Sequence, residues 1–165
     1  MCWMHWLTAP ALIGTVGAVL YSQQLKGKER GNVLFLHKSL GLLTAFIAIP
    51  RIIGSLTSQH PESFKKGILG TAGKLNHLFL YIFLVVMPSS GILMGYFGGK
   101  GLPFFFTTLK GSEKPNESIS KKSFWLHKNF GSYAKYLIPL HVGAVGFHLA
   151  RGEAIFARIN PFRKL

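Results

Sequence analysis

His127 and His141 stand fourteen residues apart in an apolar stretch that reads as one helix. At about 1.5 Å rise per residue they lie roughly 21 Å apart along its axis, and at about 3.6 residues per turn they return to nearly the same face. Imidazole is a common metal ligand, so one helix carrying two of them at that interval can serve two metal centres at different depths of a membrane. His5 and His37 stand near the beginnings of the first two apolar segments, where each can supply an opposing ligand. These spacings imply a helical bundle holding two stacked haems.

The elements that must position the histidines follow from the charge pattern. Residues 1–25 carry no charge, and their apolar part, about 3–22, is long enough to cross a hydrocarbon core of about 30 Å. The first charged residue is Lys26, so the basic n-region of a signal peptide is missing and the segment reads as a retained span. The polar run 23–32 closes it. A second apolar segment, about 33–56, is interrupted only by Lys38 and Arg51 near its ends, where long side chains snorkel. A polar loop over 57–73 contains His60, which reads as solvated, and about 75–99 is again free of charge, with Pro88 predicting a kink. The connection 100–122 places the aromatic run Phe104 to Phe106 in the headgroup region and its remainder in water. A fourth helix, about 125–150, precedes a basic tail with Arg151, Arg158, Arg163 and Lys164. The prediction is an all-α, four-helix transmembrane bundle, one integral-membrane domain over 1–165, with both termini on the same side.

Composition fixes the solvent. The chain of 165 residues is 48% hydrophobic and 13% aromatic, yet it has nineteen Lys and Arg against five acidic residues, all Glu. Those facts agree if apolar spans sit in lipid and basic flanks meet anionic headgroups or acidic partner subunits. The net charge of +14 does not point to nucleic acid, because apolar stretches interrupt it. Cys2 is the only cysteine, which excludes internal disulfides and zinc knuckles, and the C-x-x-C-H attachment is absent, so any haem is of b type. The termini side with the second loop holds eight Lys and Arg and the other side eleven, so positive charge does not orient the bundle.

Antiparallel helices match the histidines by depth, His5 with His141 and His37 with His127. Each pair can give an iron two axial imidazoles and leave no open position. A macrocycle needs a flat gap, which small residues provide. Gly41 follows His37 by four residues and Gly131 follows His127 by four, while Gly14, Gly17, Gly143 and Gly146 extend the small-residue surface. His77 and His148 fall towards the termini side. They can bond a propionate, relay protons or touch a quinone headgroup, or simply anchor helix ends. His148, seven residues beyond His141, is a rival ligand on the same face. Arg51 and the Lys residues near helix ends can neutralise propionates, and snorkelling alone explains them as well.

The chain resembles the bacterial-type cytochrome b561 family, small four-helix di-haem membrane proteins related to the cytochrome b subunits of hydrogenases and formate dehydrogenases. The resemblance rests on Met4-His5-Trp6, His37-Lys38-Ser39-Leu40-Gly41, Pro50-Arg51, His77-Leu78-Phe79-Leu80-Tyr81, Met87-Pro88-Ser89-Ser90-Gly91, Trp125-Leu126-His127, Leu140-His141 and Arg158-Ile159-Asn160-Pro161. It implies haem ligands at His5, His37, His127 and His141. It also implies electron exchange between ubiquinone or another membrane quinone and a second redox partner, some members oxidising superoxide while reducing ubiquinone. The expected location is a bacterial inner membrane or a mitochondrial inner membrane. The lysine-rich loops and the missing Asp suit the alternative of a haem-bearing or structural anchor subunit in a larger respiratory or photosynthetic complex. A histidine-relay transporter fits less well, since the spans lack carboxylates.

Overall fold

Three charge-poor segments build the frame. The computed structural model describes residues 2–57, 67–160 and 162. Helices α1 (Cys2–Ser22), α2 (Gly27–Thr57) and α3 (Ile68–Phe97) are each long and apolar enough to cross a membrane. His60, Lys65, Lys66, Arg163 and Lys164 lie outside the described residues. The residues 23–26 reverse the chain between α1 and α2, with Gln24 N–H donating to Tyr21 O at 3.0 Å and Gly27 at φ +57°.

Two helices begin before their apolar stretches. Helix α2 starts at Gly27, not 33, and α3 starts at Ile68, not 75. The added turn of α2 carries Lys28, Glu29 and Arg30, good helix formers, with Glu29 favourably placed in the first turn. Hydropathy marks where lipid begins; helical hydrogen bonding continues past it into water.

The expected fourth helix is the main correction. In place of one rod over 125–150, the structure has α4 (Glu117–Gly131) and α5 (Ala134–Ala150). The break is local. Ser132 and Tyr133 keep right-handed dihedrals, Tyr133 N–H bonds Phe130 O at 3.1 Å in the tighter three-residue pattern, and Leu137 N–H resumes the helical pattern on Tyr133 O at 3.0 Å. Gly131, a poor helix former, ends α4 where it lies against Met87 of α3. The start at Glu117 is set by Asn116, whose side chain accepts the Ile119 N–H at 3.0 Å.

The connection before α4 is also more ordered than expected. Strands β1 (Leu102–Phe104) and β2 (Thr107–Leu109) pair antiparallel with Phe104 opposite Thr107. Phe105 takes a left-handed φ of 47° at the tip, and its N–H donates to the hydroxyl of the buried Ser39 at 3.0 Å. The Phe104 ring meets Phe46 of α2 edge-on at 6.0 Å, while Phe106 is fully exposed. The hairpin is thus held against α2.

The interior is small and hydroxylic and the exterior is large and apolar. Ala45, Ala48, Thr15, Ser39, Thr44 and Ser90 are buried, whereas Leu7, Ile13, Phe46, Ile49, Ile53 and Val85 face outward. That distribution fits lipid as the solvent, where small residues let helices approach. The buried hydroxyls return to their own helices, Thr15 to Ala11 O at 2.8 Å and Thr44 to Leu40 O at 2.8 Å, so no polar group is left to hydrocarbon at these positions. At the far end, α6 (Phe156–Ile159) folds back on α1. Trp6 Nε1–H donates to Ile159 O at 2.8 Å and the Trp6 ring stacks on Phe156 at 6.5 Å, placing the start of α1 and α6 on the same side.

Candidate functional site

Histidine pairs form where antiparallel helices bring matching depths together. The rings of His37 on α2 and His127 on α4 lie 6.1 Å apart at 77°, and those of His5 on α1 and His141 on α5 lie 6.4 Å apart at 59°. A metal–imidazole bond of about 2.0 Å, with roughly 1.1 Å from that nitrogen to its ring centre, puts two trans imidazole centroids about 6.2 Å apart. The two observed separations are close to that value. Among the described residues no group of three or more His, Cys, Asp or Glu side chains is placed to hold a metal ion. Paired imidazoles suit a metal whose equatorial positions a macrocycle already fills.

The second nitrogens of the rings separate the two pairs. His37 Nδ1–H donates to Thr15 O at 2.8 Å, and His127 Nδ1–H donates to Met87 O at 3.0 Å with Ser90 Oγ at 3.1 Å. A carbonyl oxygen only accepts, so each Nδ1 carries the proton and each Nε2 keeps a free lone pair. The termini-side pair faces donors instead. Arg51 Nη1 approaches His5 Nδ1 at 3.2 Å, and Asn76 Nδ2 approaches His141 Nδ1 at 3.3 Å. A guanidinium has no acceptor, so His5 Nδ1 accepts here. Arg51, a candidate partner of propionates or a snorkelling side chain by sequence, is turned onto the His5 ring.

A third imidazole joins that end. His77 lies 5.4 Å from His141 at 79°, and its Nδ1–H donates to Gly73 O at 2.9 Å. His148 does not join the cluster through Nδ1, which meets Glu153 Oε2 at 2.7 Å. The chain turns sharply after α5, with Gly152 at φ +73° and Glu153 N–H bonded to His148 O at 3.1 Å, which returns the carboxylate to the ring. Beside it, a cavity of about 490 Å³ opens between α3 and α5, lined by residues including Leu69, Gly73, Asn76, Leu140, Phe147 and His148.

The glycines divide by what they meet. A Cβ on Gly14 would lie 3.3 Å from Leu40, one on Gly41 3.7 Å from Thr15, and one on Gly131 2.9 Å from the Met87 methyl. These three pack helix on helix, α1 on α2 and α4 on α3. Around Gly17, Gly143 and Gly146 nothing lies within 4 Å. Gly91 meets a site histidine from the side, since a Cβ there would come within 3.2 Å of His127 Cε1. Spacing along one helix cannot say which neighbour a glycine meets. Sequence reasoning also missed Thr15, Asn76, Met87 and Ser90 as partners of the site histidines. Thr15 and Met87 act through backbone carbonyls, which leave no side-chain signal.

Apolar helices with both ends on one side, and opposed imidazole pairs between them, describe a membrane cytochrome b. The profile of the prokaryotic cytochrome b561 family matches residues 1–161, and the chain belongs to that family. It is also similar to cytochrome b561 homolog 1 of Escherichia coli (strain K12), at 29% identity over 176 residues covering 98% of this chain and 95% of that relative. The protein is therefore an integral-membrane, haem b electron-transfer protein.

Proposed function

We propose that residues 1–165 form one membrane domain that conducts single electrons between its two faces through two b haems, one held by His37 and His127 and the other by His5 and His141. The observation that carries this reading is the pair of ring separations, 6.1 and 6.4 Å, at opposite ends of the bundle. When bound, the haem irons supply one-electron chemistry by cycling between ferric and ferrous states. The chain's own residues supply ligation, orientation and a dry surround. Thr15 O and Met87 O hold His37 and His127 with Nε2 free for iron. Arg51 is the cation nearest the His5 ring and the natural counter-charge for a propionate there once it releases Nδ1.

Quinone is the proposed partner on the termini side. The cavity between α3 and α5 is apolar enough for an isoprenoid-bearing ring, and His148 at its wall, backed by the Glu153 carboxylate bonded to its Nδ1, can deliver a proton to a reduced quinone oxygen. Pyridine haemochrome quantification of the purified chain tests the ligand set. Two haems per chain are expected, with mainly one lost in His127→Ala and one in His141→Ala; unchanged haem content in both variants would overturn the assignment.

A further inference from the structure

Three of the four paired histidines have a fixed meaning at Nδ1. His37 and His127 face carbonyl oxygens, and His5 faces a guanidinium. His141 faces the side-chain amide of Asn76, whose two ends are a donor and an acceptor of nearly the same shape. With Nδ2 towards the ring at 3.3 Å, Asn76 Oδ1 is a buried oxygen without a hydrogen-bond partner. Half a turn about the terminal side-chain bond exchanges the two groups at little steric cost. The contact at Nδ1 does not by itself choose between the orientations, because an imidazole nitrogen can accept from the amide nitrogen or donate to the amide oxygen. Ligation does choose. A ring that gives its Nε2 lone pair to a metal carries its proton on Nδ1 and needs an acceptor there.

We propose that Asn76 is the positioning residue of His141: its side-chain oxygen accepts the Nδ1–H, fixing the tautomer and aiming Nε2 at the iron. The inference rests on the ligand reading above and adds a residue to it. Asn76 sits on α3, which provides neither ligand of this pair, so it ties the His141 ring to a third helix. Met87 O and Ser90 on the same helix hold His127 at the other end. One helix without a proposed ligand therefore orients both His127 of α4 and His141 of α5.

Redox titration of the purified, haem-loaded chain in detergent tests this, with Asn76→Asp and Asn76→Leu compared to wild type and with His127→Ala and His141→Ala identifying each haem. A carboxylate is a stronger acceptor and makes the imidazole a more basic ligand, which favours ferric iron; removing the acceptor does the reverse. The potential of the His141 haem is expected to fall in Asn76→Asp and rise in Asn76→Leu, with roughly 10- to 100-fold weaker haem retention in the latter. The His127 haem should not move. If the His141 potential is unchanged in the aspartate variant, or both haems move together in one direction, Asn76 has no such role. Loss of one haem in His141→Ala alongside that result removes only the Asn76 inference, whereas wild-type haem content in His141→Ala removes the ligand reading itself. Should the leucine variant fail to fold, the near-isosteric aspartate variant decides the question alone.

Discussion

The ring of His37 lies 6.1 Å from the ring of His127, and each is steadied by a backbone carbonyl of a helix other than its own, Thr15 O of α1 and Met87 O of α3. Carbonyls in packed helices do not rotate. The partners of His5 and His141 are the side chains Arg51 and Asn76, and both present donors to Nδ1. On the proposed ligand set, the first pair has its Nδ1 atoms already paired with acceptors and the second must exchange donors for acceptors first.

The order of haem uptake should follow. Apo-protein from haem-starved cells, given less than one equivalent of haem, is expected to fill the His37–His127 pair before the other. Absorbance and retained haem should look like wild type in His141→Ala and fall in His127→Ala; the opposite order would refute the argument.

Gly91→Val should displace the His127 ring. Even a lone Cβ at residue 91 would sit 3.2 Å from Cε1, closer than ordinary contact, and valine adds two methyls in a packed interior. Overpacking of this kind costs about 1–3 kcal/mol. A lower melting temperature together with selective loss of the haem beside His127 is the expected outcome, read by thermal denaturation and haemochrome assay.

Gly131→Ala makes the contrasting case. Its Cβ would meet the Met87 methyl at 2.9 Å, but that methyl ends a flexible side chain that can swing away. Alanine also gains about 1 kcal/mol of helix propensity over glycine. The melting temperature should change little and haem content not at all.

Ser39→Ala should loosen the hairpin while leaving the bundle intact. The hydroxyl accepts from Phe105 N–H at 3.0 Å and donates to Phe35 O at 3.0 Å, and without it the Phe105 amide loses its partner. Leaving such a group unpaired costs about 1–3 kcal/mol. Hydrogen exchange at Phe105 should accelerate, with helix amides unchanged.

The spans were legible because uncharged runs of membrane length leave few alternatives; their ends were not, because Lys28 to Arg30 form helix as readily in water as in a loop. The break at Ser132 and Tyr133 escaped notice since neither residue opposes helix and both keep helical dihedrals. The hairpin was hidden because nothing about Phe105 advertises a positive φ, which a phenylalanine rarely adopts. Around the histidines, depth arithmetic along single helices brought His5 to His141 and His37 to His127, but not His77 to His141, whose rings are 5.4 Å apart. What it could not reach were contacts made across helices, such as Asn76 to His141 and Gly91 to His127, for which one chain offers no periodic signal.

Trp6 and Ile159 are joined by a hydrogen bond of 2.8 Å although 153 positions separate them along the chain. Reporters fused ahead of α1 and behind α6 must therefore emerge into the same compartment. A phosphatase and a fluorescent protein, each tried at both ends in living cells, would reveal which compartment that is, the question the evenly spread lysines and arginines leave unanswered.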